Sequence, residues 1–144
     1  MTAPMTTVAT RPRRLGRSVF AVFLGFIAVV ILSLGTDQIL HVLKVYPPWG
    51  VPMWERSLNA LALSYRIVYT IAGGYIAARF APYAPMRHAV ALGIVGLIPG
   101  FAGAIYAVTK SNLGPSWYPI ALAIVGLPCC WIGGALYQAR HPGR

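Results

Sequence analysis

Asp37 and Arg66 are the charged side chains that fall where the chain is most apolar. Asp37 sits near the far end of one apolar run. Arg66 lies about a third of the way into the next, LNALALSYRIVYTIAGGYIAARF over residues 58–80. An ionised group inside hydrocarbon is costly, so such residues face protein or water and seek a counter-charge. Helix geometry gives the two similar depths. Asp37 lies 19 residues beyond Ser18, ~28 Å along its helix, and Arg66 lies 14 residues before Phe80, ~21 Å along its own. The remaining ~7 Å is within reach of a stretched arginine side chain. Gln38, His41, Ser64, Tyr65 and Tyr69 are near enough in sequence to join the pair. Three readings stay open: a site for an ion, a proton or a small polar ligand; an ion pair that fixes one helix against the next; or an arginine that reaches up to the headgroups.

Other chemistry is thin. His41 falls at the opposite end of the spans from His88 and His141, so no two histidines match in depth as a bis-histidine haem requires. Cys129 and Cys130 are adjacent, without a C-x-x-C or a zinc spacing, and read as small packing residues. Trp117-Tyr118 and Trp131 with Tyr137 read as interfacial belt and core. No nucleophile elbow, phosphate loop or H-E-x-x-H occurs. With Asp37 and Glu55 the only acids in the sequence, general acid–base catalysis has few actors. A non-enzyme is expected, with no cofactor and no metal.

The elements that must position these groups follow from composition. The 144 residues are 58% hydrophobic and 10% charged, against about 25% charged in a soluble domain. The fold class expected is all-α: a polytopic membrane protein with four transmembrane helices in an antiparallel bundle. The helices are expected over about 18–44, 58–80, 87–108 and 117–139, inside a transmembrane domain of residues 15–140. Residues 1–14 read as a disordered tail and 141–144 as a short terminus. The arginines before Val19 resemble a signal peptide. The long apolar run and Thr36-Asp37-Gln38 in place of a small-residue cleavage site favour a retained first helix. Tyr46-Pro47-Pro48 stops that helix, and the Trp-rich loop to Trp54 suits the headgroup level. Pro99 and Pro128 fall inside the third and fourth helices, where each favours a bend.

Glycines mark the expected packing faces: Gly73 and Gly74 in the second helix, Gly93, Gly96, Gly100 and Gly103 on a stripe of the third, and Gly126 and Gly134 with Cys130 on the fourth. Gly73-Gly74 followed by Pro82 recurs as Gly133-Gly134 followed by Pro142, an offset of 60 residues that either marks two repeated hairpins or arises by chance.

Orientation comes from the basic residues. The N-terminal segment, second loop and C-terminus hold eight, against three in the first and third loops, which predicts an N-in/C-in topology. The net charge of +10 does not point to nucleic acid, because it sits at the ends of apolar runs and not on one polar face.

At YTIAGGYIAARFAPYAPMRHA, residues 69–89, the chain resembles small uncharacterised bacterial four-helix integral membrane proteins that share a Gly-Gly-Tyr-Ile-Ala-x-Arg helix end. TDQILHVLKVYPPW and GPSWYP are further landmarks of the likeness. It implies a multi-pass protein of the bacterial inner membrane and brings no activity with it. The small multidrug exporters, another four-helix family, carry a glutamate well inside the first helix. Here that helix has none and Asp37 lies near its far end, which argues against proton-coupled export. The expected role is a non-catalytic accessory or interaction protein whose partners are the lipid bilayer and a second copy or another membrane protein. The alternative is a small oligomeric transporter or channel that uses Asp37 and Arg66.

Overall fold

A computed structural model describes residues 14–143, so the expected tail lies, up to residue 13, outside the described residues. Four helices follow in order: α1 Leu15–Val42, α2 Arg56–Phe80, α3 Pro85–Tyr106 and α4 Trp117–Arg140. A π-helical turn, Ala107–Ser111, extends α3. All four are long and apolar enough to cross a bilayer. Their outward faces carry large apolar side chains such as Val19, Val68 and Ile98. This is an all-α, multi-pass membrane architecture. One end of the bundle gathers Arg14, the α2–α3 turn and Arg140, and is called the terminal end; the first and third loops form the loop end.

The helix limits have local causes. α1 stops at Val42, although the sequence suggested a run to Lys44. The Lys44 N–H bonds the His41 carbonyl, the Val45 N–H bonds the Leu40 carbonyl, and Lys44 takes φ +57°. This is the left-handed capping turn that usually employs glycine, so a lysine in that place hides the stop. α3 begins at Pro85 and not at Arg87, because proline suits a first helical position whose N–H has no partner anyway.

Among the described residues the core is built mainly from small side chains and has no large fully buried one. Helices without large knobs must approach backbone to backbone, and the two glycine doublets permit it. A Cβ on Gly73 would lie 3.0 Å from the Gly25 carbonyl oxygen on α1, while one on Gly74 would lie 2.8 Å from Cys130 Cα on α4. On α4, a Cβ on Gly133 would lie 2.6 Å from the Tyr75 nitrogen of α2, and one on Gly134 2.7 Å from Ala89 Cβ of α3. Gly93 completes the α3–α4 contact, its Cβ position 3.1 Å from Leu127 Cα. Around these crossings pack Ala77, Leu92 and Cys130, and separately Ala78, Ala89 and Tyr137.

The doublets also decide the 60-residue echo. Neighbouring helix residues point ~100° apart, always in the same rotational sense. In α2 the first glycine faces α1 and the second faces α4; in α4 the first faces α2 and the second α3. That order places α1 and α3 on the same side of the α2–α4 pair, where they touch lightly. A two-fold repeat of hairpins would place them on opposite sides. Thr70 and Cys130 do meet across the parallel pair, with Sγ 4.0 Å from the carbonyl, so the offset matches heights but not faces. The helices run around the bundle in the order α1, α2, α4, α3, with α2 also touching α3 across it.

Not every glycine on the expected faces packs. Gly96, Gly103 and Gly126 have nothing within 4 Å of a Cβ position, and Gly100 makes only ordinary contact with Ala123 at 3.7 Å. Gly93 and Gly100, seven residues apart, face α4, whereas Gly96 and Gly103 are rotated away from that seam. Gly25 and Gly133 pack closely although neither was among the expected packing faces. Gly74→Ala should therefore cost about 1–3 kcal/mol, by forcing α2 off α4. Gly96→Ala should leave stability unchanged or slightly raised. Thermal unfolding of the two variants in detergent checks both.

Candidate functional site

The sequence puts a carboxylate on α1 and a guanidinium on α2, and the crossing at Gly25 and Gly73 sets their register. Antiparallel packing through that point brings Arg66 level with residue 32 of α1, five residues and ~7 Å short of Asp37. The arginine side chain covers the gap by running toward the loop end. Its Nη2 donates to Asp37 Oδ2, and its Nη1 donates to the Tyr118 hydroxyl oxygen on α4. The Tyr65 hydroxyl donates to the other carboxylate oxygen, Oδ1. Both oxygens of Asp37 thus carry a donor, and Arg66 ties α1, α2 and α4 together. The ion pair is largely shielded, with the Asp37 side chain 9% and the Arg66 side chain 20% exposed. The rings of Tyr65 and Tyr118 each lie 5.8 Å from the guanidinium carbon, which gives the cation two aromatic neighbours.

The first loop covers the site. Tyr46 is buried, its hydroxyl 3.4 Å from the Leu58 carbonyl and 3.4 Å from the Tyr65 hydroxyl. Burial pushes the Tyr46 phenol above its ordinary pKa. Asn59 holds the loop by donating to the carbonyls of Met53 and Glu55, both at 2.9 Å. The Met53 N–H donates to the Leu113 carbonyl at 2.7 Å and joins the first loop to the third.

The other expected members divide. The Tyr69 hydroxyl pairs with that of Thr36 at 2.8 Å, next to Asp37 on α1, with Tyr69 one helical turn from Tyr65 on α2. Gln38 is exposed and accepts from the Trp49 indole at 3.3 Å. His41 Nδ1 donates to the Pro47 carbonyl at 2.6 Å, and its ring lies 4.0 Å from that of Trp49. Gln38 and His41 therefore anchor the proline-rich loop and do not join Arg66. Asp37 and Gln38 point ~100° apart, and His41 lies a full turn beyond the pair. Ser64 bonds its own helix at the Leu61 carbonyl. Tyr118 and Tyr46 are the site residues that the sequence did not single out. The signal available was an aromatic hydroxyl at the loop end of each neighbouring segment, within reach of an arginine that runs upward.

Below the pair, a cleft of about 310 Å³ opens in the middle of the bundle. Arg66, Ser33 and Thr70 line it together with Gly96 and Gly126, whose missing side chains leave the space. Among the described residues no group of three or more His, Cys, Asp or Glu side chains is placed to hold a metal ion.

Comparison with protein-family models, curated proteins and solved structures gave no match. The geometry itself makes the pair testable. Asp37→Ala strands a buried cation and should cost about 3–5 kcal/mol, while Asp37→Leu combined with Arg66→Met should recover most of that loss. Thermal unfolding of both variants in one detergent distinguishes them.

Proposed function

We propose that this chain is a non-catalytic accessory or interaction protein of the bacterial inner membrane, with both termini in the cytoplasm. One observation carries the proposal: the charges inside the bundle are closed on one another. Asp37 receives donors on both oxygens, Arg66 reaches across to Tyr118, and the Tyr46 lid covers them. A carboxylate that must take up and release a proton or cation in turnover is better served by an open coordination position than by this closed set. The scarcity of acids in the sequence agrees with a role outside catalysis. The excess of basic residues at the terminal end supports the orientation.

A second reading rests on the cleft. Arg66 also lines that space with Ser33 and Thr70, so a small anion could meet the guanidinium from below, as in an oligomeric transporter or channel. The variant Asp37→Asn/Arg66→Gln separates the readings. The accessory role predicts that wild-type proteoliposomes show no pair-dependent proton, sodium or chloride flux, and that the variant melts at lower temperature. A variant that keeps its melting temperature but abolishes a wild-type flux would reverse the choice.

Orientation is checked separately. With Cys129 and Cys130 replaced by serine, Ala84→Cys should react with an impermeant maleimide only from the cytoplasmic side. Leu113→Cys should react only from the other.

A further inference from the structure

The ring of helices is closed tightly at three seams and loosely at the fourth, between α1 and α3. A cavity of about 1510 Å³ opens there, from Arg14 and Arg87 at the terminal end to Phe26 and Ile98 at mid-bundle. We propose that this seam holds an anionic phospholipid, with its phosphate at Arg14 and Arg87 and an acyl chain along α1 as far as Phe26. The inference goes beyond the accessory role and does not depend on it.

Depth, charge and an unmet hydrogen bond support this occupant together. From Leu15 to Phe26 the seam runs ~17 Å, close to the ~15 Å of one hydrocarbon leaflet. Its walls below the mouth are mainly apolar, with Val22 and Val95 among the lining residues. The mouth is positive and, among the described residues, has no acidic side chain beside it. Arg14 and Arg87 are exposed there, while Asp37 and Glu55 both belong to the loop end. α1 and α3 both begin at this mouth without a side-chain cap and without an acidic residue in the first turn, so the positive ends of two helix dipoles remain unneutralised. Ser18 lines the cavity, and its hydroxyl oxygen is buried with no hydrogen-bond partner among the described residues. A phosphodiester supplies the negative charge and the acceptor oxygens; the chain attached to it fills the apolar length. The segment before Arg14 fits less well, because it adds arginines and no acid. A second copy would likewise bring the same positive charges to the mouth.

Native mass spectrometry of the full chain from neutral detergent, with dioleoylphosphatidylglycerol or dioleoylphosphatidylcholine added, tests the proposal. Phosphatidylglycerol should be retained at concentrations at least about tenfold lower than phosphatidylcholine, and Arg14→Gln/Arg87→Gln should weaken its retention roughly 25-fold. Arg140→Gln, at the same end but off the seam, should retain it as wild type does. Equal retention of the two lipids, or a double variant indistinguishable from Arg140→Gln, overturns the proposal. Competition by inorganic phosphate at the lipid's own concentration also overturns it, since the site would then be one for a soluble anion. Phosphatidylcholine binding that appears only after deletion of residues 1–13 would make that segment the occupant, and overturns it too. If the double variant fails to fold, spin-labelled lipids on the wild type decide: a motionally restricted fraction larger for phosphatidylglycerol supports the seam, and equal fractions reject it.

Discussion

Neighbouring residues on a helix point about a right angle apart, and this protein uses that fact at its centre. Gly73 presents bare backbone to α1, and Gly74 presents it to α4. One helix thereby meets two others at the same height. Lipid chains are as apolar as leucine, so no hydrophobic gain drives these helices together. Association must come from close contact and from polar groups that find each other. The doublets provide the first. They also fix the heights that allow the second, because the ion pair closes only if α1 and α2 cross near Gly25 and Gly73.

The polar network is a product of that register. Arg66 lies below its partners and runs toward the loop end to meet Asp37 and Tyr118. The side chain runs toward the loop end, but it ends on protein groups and not at the headgroups. The loops complete the enclosure, with Tyr46 above and Asn59 holding the backbone of the loop in place. Removal of a single member exposes a charge rather than merely a contact, which is why a matched apolar replacement is the gentler change.

Much of this was legible in the sequence. Apolar runs separated by prolines and charges marked the helices, because length and hydropathy suffice for that. The depth count brought Asp37 and Arg66 together, because rise per residue is nearly constant. What escaped depended on rotation and tertiary register. Tyr118 read as an interfacial aromatic, since nothing in its neighbourhood tells that a guanidinium reaches up to it. Gln38 and His41 looked like neighbours of Asp37 but follow the loop. The stop at Lys44 was hidden because a lysine holds a conformation that glycine usually signals. Gly96, Gly103 and Gly126 have the spacing of a packing stripe, yet two of them leave an opening, Gly96 and Gly126 lining the central cleft. A missing side chain permits close approach without requiring it.

α1 meets α2 at the backbone contact of Gly25 and, well away from it, at the polar contacts of Thr36 and Asp37, and it rests only lightly on α3. Gly25 and Asp37 lie twelve residues apart, ~18 Å along the helix. Contacts so far apart along one rod oppose both sliding and tilting of α1 against α2, and they leave the side toward α3 the least constrained.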